Sequence, residues 1–254
     1  KQLAARLREQ GFTGTMTLDQ ALTRISRRKD YYCPPHRHLA IPLANLGTPT
    51  ALVQEIIRRE REDRESMSLP GRLPYSTIGE GLQKFIFPYL PEPELAELRE
   101  IVRREFRADE WPDNAYLVEP PPAIVLAAFL GLHDLLPSVI ASWPDDRYRS
   151  SVHGHNHSQN PQLILFGLGD PREVEYHFRR LKLWLGSQDH IAAWLAHTEY
   201  SALDLVRDSI AAAGTREYAE ELLGAFTRIR APEAAPCMLD LMRSSRAPHL
   251  ARKW

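Results

Sequence analysis

The chain has 254 residues, 43% hydrophobic and 26% charged, with a net charge of −1. That is an ordinary globular composition, long enough for one large domain or two small ones. The near-zero charge argues against a general nucleic-acid or anionic-membrane binder, and no apolar run reaches the ~18 residues that span a bilayer. The longest such run, "AIVLAAFLGL", is too short.

Two cysteines, Cys33 and Cys237, lie far apart and define no disulfide framework, so a reducing, cytoplasmic setting is expected. Residues 1–38 hold eight Lys or Arg against three acids, a mildly basic end. The sequence opens KQLAARL without a methionine or a signal peptide and stops at Trp254 within a helical pattern. It reads as one helical-repeat region, 1–254, excised from a longer chain.

In chain order, "TLDQALTRISRR" has Thr17 and Gln20 at capping-box spacing, then Leu18, Ala21, Leu22 and Ile25 on one face. "TPTALVQEIIRREREDRES" starts with Thr48 as N-cap and Pro49 in the first turn. Leu52, Ile56 and Ile57 form its apolar stripe, and the charged remainder is a solvated face with Glu/Arg pairs at helical spacing. The Pro/Gly-rich stretch 68–81 is a soft boundary. "PEPELAELREIVRREF" restarts a helix, "PPAIVLAAFLGL" is apolar all round and predicts a buried helix, and "LLPSVIASWP" is a short partner.

Residues 161–254 are the most regular. Asp170 and Pro171 start a helix expected to run to Gly186; Ser187 and Thr215 cap two more, and Gly214 closes another. "LILFGLG" reads either as a strand or as a short buried helix. Helices of roughly 10–16 residues alternate with short turns. Val206 and Arg207 match the Val-Arg pair of HEAT-type second helices, and Ala251 and Arg252 recur 45 residues later, inside the HEAT and armadillo period. The expected fold is all-α, a HEAT/armadillo-like α-solenoid of antiparallel helices; the alternative is an irregular helical bundle.

Candidate chemistry is sparse. His153, His155 and His157 alternate in "SSVHGHNHSQNP", between a helix pair ending near Trp143 and the array from Pro161. In an extended segment they would face one side and clamp a metal, whereas Gly154 and Asn156 favour a polar turn. Cys33, His36 and His38 in "YYCPPHRH" offer a second three-ligand set, without the paired second cluster of a zinc knuckle. No nucleophile elbow, Walker loop, dinucleotide fingerprint or H-E-x-x-H motif occurs, so no catalytic residue, enzyme activity or cofactor is expected. Trp184 and Trp194 sit at core spacing. Arg179, Arg180 and Lys182 form the best basic cluster, a candidate protein or nucleic-acid contact; Arg207 is expected to pair with Asp204 or Asp208.

The run "LILFGLGDPREVEYHFRRLKLWLGSQDHIAAWLAHTEYSALDLVRDSIAAAG" resembles the HEAT-like region of large bacterial MolR-type proteins. So do "APEAAPCMLDLMRSSRAPHLARKW" and, less tightly, "GLHDLLPSVIASWPDDRY". The resemblance covers about residues 120–254. It implies an all-α scaffold inside a multidomain cytoplasmic bacterial protein, and the leading expectation is a non-enzymatic segment that scaffolds protein–protein contacts, with no membrane partner. It also implies an AAA+ ATPase or a von Willebrand-type domain protein as partner. The open alternatives are a HEAT-like nucleic-acid-binding module, or an accessory segment of an enzyme whose active site lies elsewhere.

Overall fold

A computed structural model describes residues 16–26, 36–65, 75–110, 120–143, 145 and 161–254. Among these the regular structure is entirely helical, with fourteen α-helices, three short 3₁₀ turns and no strand. The described residues up to Leu135 belong to one compact unit and those from Leu136 onward to a second.

The first unit contains α1 (Leu18–Ser26), α2 (His36–Asn45), α3 (Pro49–Glu65), α4 (Tyr75–Phe85), α5 (Glu92–Glu105) and α6 (Pro122–Phe129). Its helix starts follow the expected local chemistry. Thr17 N–H donates to Gln20 Oε1 at 3.0 Å and Gln20 N–H to Thr17 Oγ1 at 3.2 Å, a capping box. Ala51 N–H donates to Thr48 Oγ1 at 3.0 Å. The soft-boundary stretch falls partly outside the described residues and otherwise lies in α4.

Packing combines contacts between successive helices with contacts two and three steps apart. Helix α4 meets α2 and α6, α3 meets α2, α5 and α6, and α5 meets α6. Leu43, Leu52, Ile56, Ile78, Leu82 and Val102 are buried between them. In α6 every residue from Pro122 to Ala127 is buried, as its all-round apolar sequence requires. It ends at Gly131, whose left-handed φ of +71° lets Leu132 N–H reach Ala127 C=O at 2.9 Å.

The second unit contains α7 (Leu136–Ile140), α8 (Pro161–Phe166), α9 (Pro171–Arg180), α10 (Gln188–Thr198), α11 (Leu203–Ala211), α12 (Arg216–Phe226), α13 (Ala235–Ser244) and α14 (Pro248–Lys253). Asp170, Ser187 and Thr215 accept from the N–H groups of Arg172, His190 and Tyr218 and so cap α9, α10 and α12. The ambiguous LILF segment lies in helix α8. Some helices meet two steps apart, α8 with α10, α10 with α12, α12 with α14 and α11 with α13, and successive helices also meet, as α13 does α14 and α11 does α12. At the centre Phe178 and Trp194 meet edge-on with centroids 4.9 Å apart, both fully buried. Trp184 is half-buried.

Two sequence expectations fail here. The helix from Asp170 stops at Arg180 instead of Gly186. Lys182 takes φ +52°, and the N–H groups of Lys182 and Leu183 donate to Arg179 and Phe178 C=O at 3.2 and 3.0 Å, a Schellman end built on lysine. The chain then leaves the helix with Leu183 and Leu185 buried at alternate positions. Gln162 Nε2 donates to Trp184 C=O at 2.8 Å and Leu185 N–H to Ser209 Oγ at 3.0 Å, so tertiary bonds replace the helical ones. The 45-residue recurrence also fails as a repeat step. Arg207 lies on α11 and Arg252 on α14, three helices on, so the interval does not span whole helix pairs.

Replacing Phe178 with alanine is expected to cost about 3–5 kcal/mol in urea unfolding. Replacing the exposed Leu239 is expected to cost less than about 0.5 kcal/mol. Equal losses would contradict the assigned core.

Candidate interaction surface

Arginines bridge the odd-numbered helices of each unit. In the first, Arg59 of α3 reaches Asp19 of α1, pairing with its carboxylate and donating to its carbonyl at 3.0 Å. Arg61, also on α3, donates to a carboxylate oxygen and the carbonyl of Glu105 at the end of α5, both at 2.5 Å. Arg61 holds the Glu105 carboxyl below the usual carboxylate range. Arg58, Arg61 and Arg104 face Glu62 and Glu105 in an open cleft of about 410 Å³ between α3 and α5. Its arginines are already engaged by carboxylates: Arg58 by Glu55 and Glu62, Arg61 and Arg104 by Glu105.

The second unit repeats the device. Arg179 of α9 grips Asp204 of α11 through two parallel bonds of 2.9 and 3.0 Å, and its Nε donates to Glu175 at 2.9 Å. That bidentate geometry depresses the Asp204 carboxyl. Arg207 of α11 pairs with Asp208 at 2.8 Å and reaches Asp240 of α13 at 3.2 Å. Of the two carboxylates expected for Arg207, Asp208 is its partner and Asp204 goes to Arg179.

Arg180 turns the other way. Nη2 donates to Ile140 C=O at 3.1 Å, and Nη1 to Trp143 C=O at 2.7 Å and Asp145 at 2.9 Å. These are the end of α7 and the turn after it, where a cation meets both the terminal carbonyls and the negative pole of the helix. The three residues of the basic cluster are therefore not one patch. Arg179 ties α9 to α11, Arg180 ties α9 to α7, and Lys182 forms the left-handed helix end.

His153, His155, His157 and Cys33 lie outside the described residues. His36 and His38 belong to the first turn of α2. No group of three or more His, Cys, Asp or Glu placed to hold a metal occurs among the described residues. Cys237 is buried in α13, and burial raises its thiol above the usual range, which favours a packed, protonated group. No helix among the described residues is long and apolar enough to cross a membrane.

Sequence reasoning missed the large apolar side chains left outward: Tyr89 at 82% exposure, Leu239 at 62% and Tyr176 at 59%. Their local spacing carries no such signal, because exposure depends on which neighbour covers each helix. Compared with family models, curated proteins and solved structures, the chain matches none.

Arg180→Met, which keeps the apolar stem, is expected to cost about 2 kcal/mol because Trp143 C=O loses its side-chain donor and Ile140 C=O loses one of two donors. Arg179→Met breaks a half-exposed pair and is expected to cost under about 1 kcal/mol. Denaturant melts of both variants check the order. Acid sensitivity is fixed by sign: Asp204 and Glu105 have lower folded than unfolded proton affinity. Their stabilisation is complete above about pH 5 and declines as pH falls through about 4 toward their depressed values. Asp204→Asn is expected to flatten the urea midpoint between pH 5 and pH 3.

Proposed function

We propose that the chain is a helical accessory module, a HEAT/armadillo-type array that presents helix faces to a protein partner and serves chemistry carried by other domains or proteins. The carrying observation is the two-step packing of α8 with α10, α10 with α12, α12 with α14 and α11 with α13. Such alternation suits a two-row stack in which each helix contacts only near neighbours. Stacks of this kind bind along their length through side chains that neighbouring repeats leave uncovered. Tyr176 on α9 and Leu239 on α13 are side chains of that type.

The resemblance of residues 120–254 to MolR-type proteins supports the same reading. By that analogy the partner is an AAA+ ATPase or a von Willebrand-type domain protein in a bacterial cytoplasm. The nucleic-acid alternative draws less support, because Arg179 and Arg180 are engaged by carboxylates and carbonyls of the chain itself.

Quantitative affinity capture tests the reading with the wild-type chain and a Tyr176→Ala/Leu239→Asp double variant of matched circular dichroism. Proteins enriched by wild type, resistant to nuclease and depleted about tenfold by the variant are the expected result. Duplex DNA retained by the wild-type chain at about 150 mM salt, with no protein lost on mutation, would replace the reading with the nucleic-acid one.

A further inference from the structure

His177 of α9 is a working part of the Arg180 clamp. Its Nδ1 accepts a hydrogen bond from Arg180 Nε at 3.2 Å, which requires a nitrogen that carries no proton. The remaining donors of that guanidinium hold Ile140 C=O, Trp143 C=O and Asp145. The side chain of His177 is 16% exposed and its Nε2 stands 3.7 Å from Glu173. The Tyr176 ring meets it edge-on at 4.9 Å.

We infer that His177 is a proton-operated release for this clamp: protonation at Nδ1 removes the acceptor of Arg180 Nε, sets a second cation against the guanidinium and loosens the end of α7.

The charged surroundings fix the direction. On α9 itself Glu173 favours the protonated ring and Arg180 opposes it. From the α7 turn, Asp145 engages Arg180. The segment PQLILF of α8 carries no ionisable side chain. On α10, His190 and His197 face Phe166 with ring centroids 6.2 and 5.6 Å away, and Asp189 lies in the first turn. From α11, Asp204 is held by Arg179. Burial first, then Arg180, holds the imidazole below the usual histidine range against the pull of Glu173. A folded proton affinity lower than the unfolded one gives stability that is complete above about pH 6.5. That stability is lost as pH falls through 6.5 toward the lower folded value.

The amides of Ala141 and Trp143 donate to Pro137 and Ile140 C=O at 2.9 and 3.1 Å and report on α7 directly. Hydrogen exchange of the full chain, corrected for intrinsic rates, is measured between pH 7.5 and pH 5. The expected result is about tenfold loss of protection at these two amides at the acidic end. That loss disappears in His177→Gln, and in Glu173→Gln it moves to lower pH. Unchanged wild-type protection, or the same loss in His177→Gln, overturns the inference. If His177→Gln weakens α7 at every pH, the wild-type ring titration by NMR decides. Coincidence of its midpoint with the loss at Ala141 supports the release, and titration without change at Ala141 overturns it.

Discussion

Everything in the second unit depends on one constraint: a helix of about ten residues cannot bury its apolar face alone. Isolated helices of this length are marginal in water, and most of their stability comes from packing. The chain meets the constraint by giving each of the later helices contacts two steps away as well as one. Leu222 and Phe226 of α12 are fully buried, with α10 and α14 both packed on that helix, and Leu241 is buried on α13 beside α11. The helices of the first unit also share contacts beyond their immediate neighbours, α4 with α2 and α6 and α3 with α5 and α6.

Arginine adds direction to that packing. A bidentate guanidinium accepts only a narrow set of carboxylate positions, so Arg179 on Asp204 favours one register between α9 and α11. The half-exposed pair contributes little to stability and more to alignment. Arg180 differs because it satisfies backbone carbonyls at a helix end: losing it removes the donor to Trp143 C=O and one of the two donors to Ile140 C=O. Adjacent residues of one type thus tie α9 to different helices, Arg179 to α11 and Arg180 to α7, and of these two Arg180 also shares its guanidinium with His177.

How far the sequence revealed this depends on the range of each interaction. The caps at Thr17, Thr48, Asp170, Ser187 and Thr215 were legible because each bond closes within three residues. The buried character of α6 was legible from its unbroken apolar run. The end of α9 was misread because helix signals continue past Arg180, while the period-two burial of Leu183 and Leu185 is set by Ser209 and Gln162 from other helices. The cluster Arg179, Arg180 and Lys182 looked like one basic patch because its partners stand 25 and 37 residues away. The same distance hid the link between His177 and α7.

Native-state hydrogen exchange on a Leu241→Ala variant tests the central claim most directly, because Leu241 is fully buried on α13. If the second unit is held by near-neighbour contacts in two rows, protection falls in α11 to α14 and stays near wild type in α8 and α9. A uniform loss from α8 to α14 would contradict the account and describe a single cooperative bundle instead.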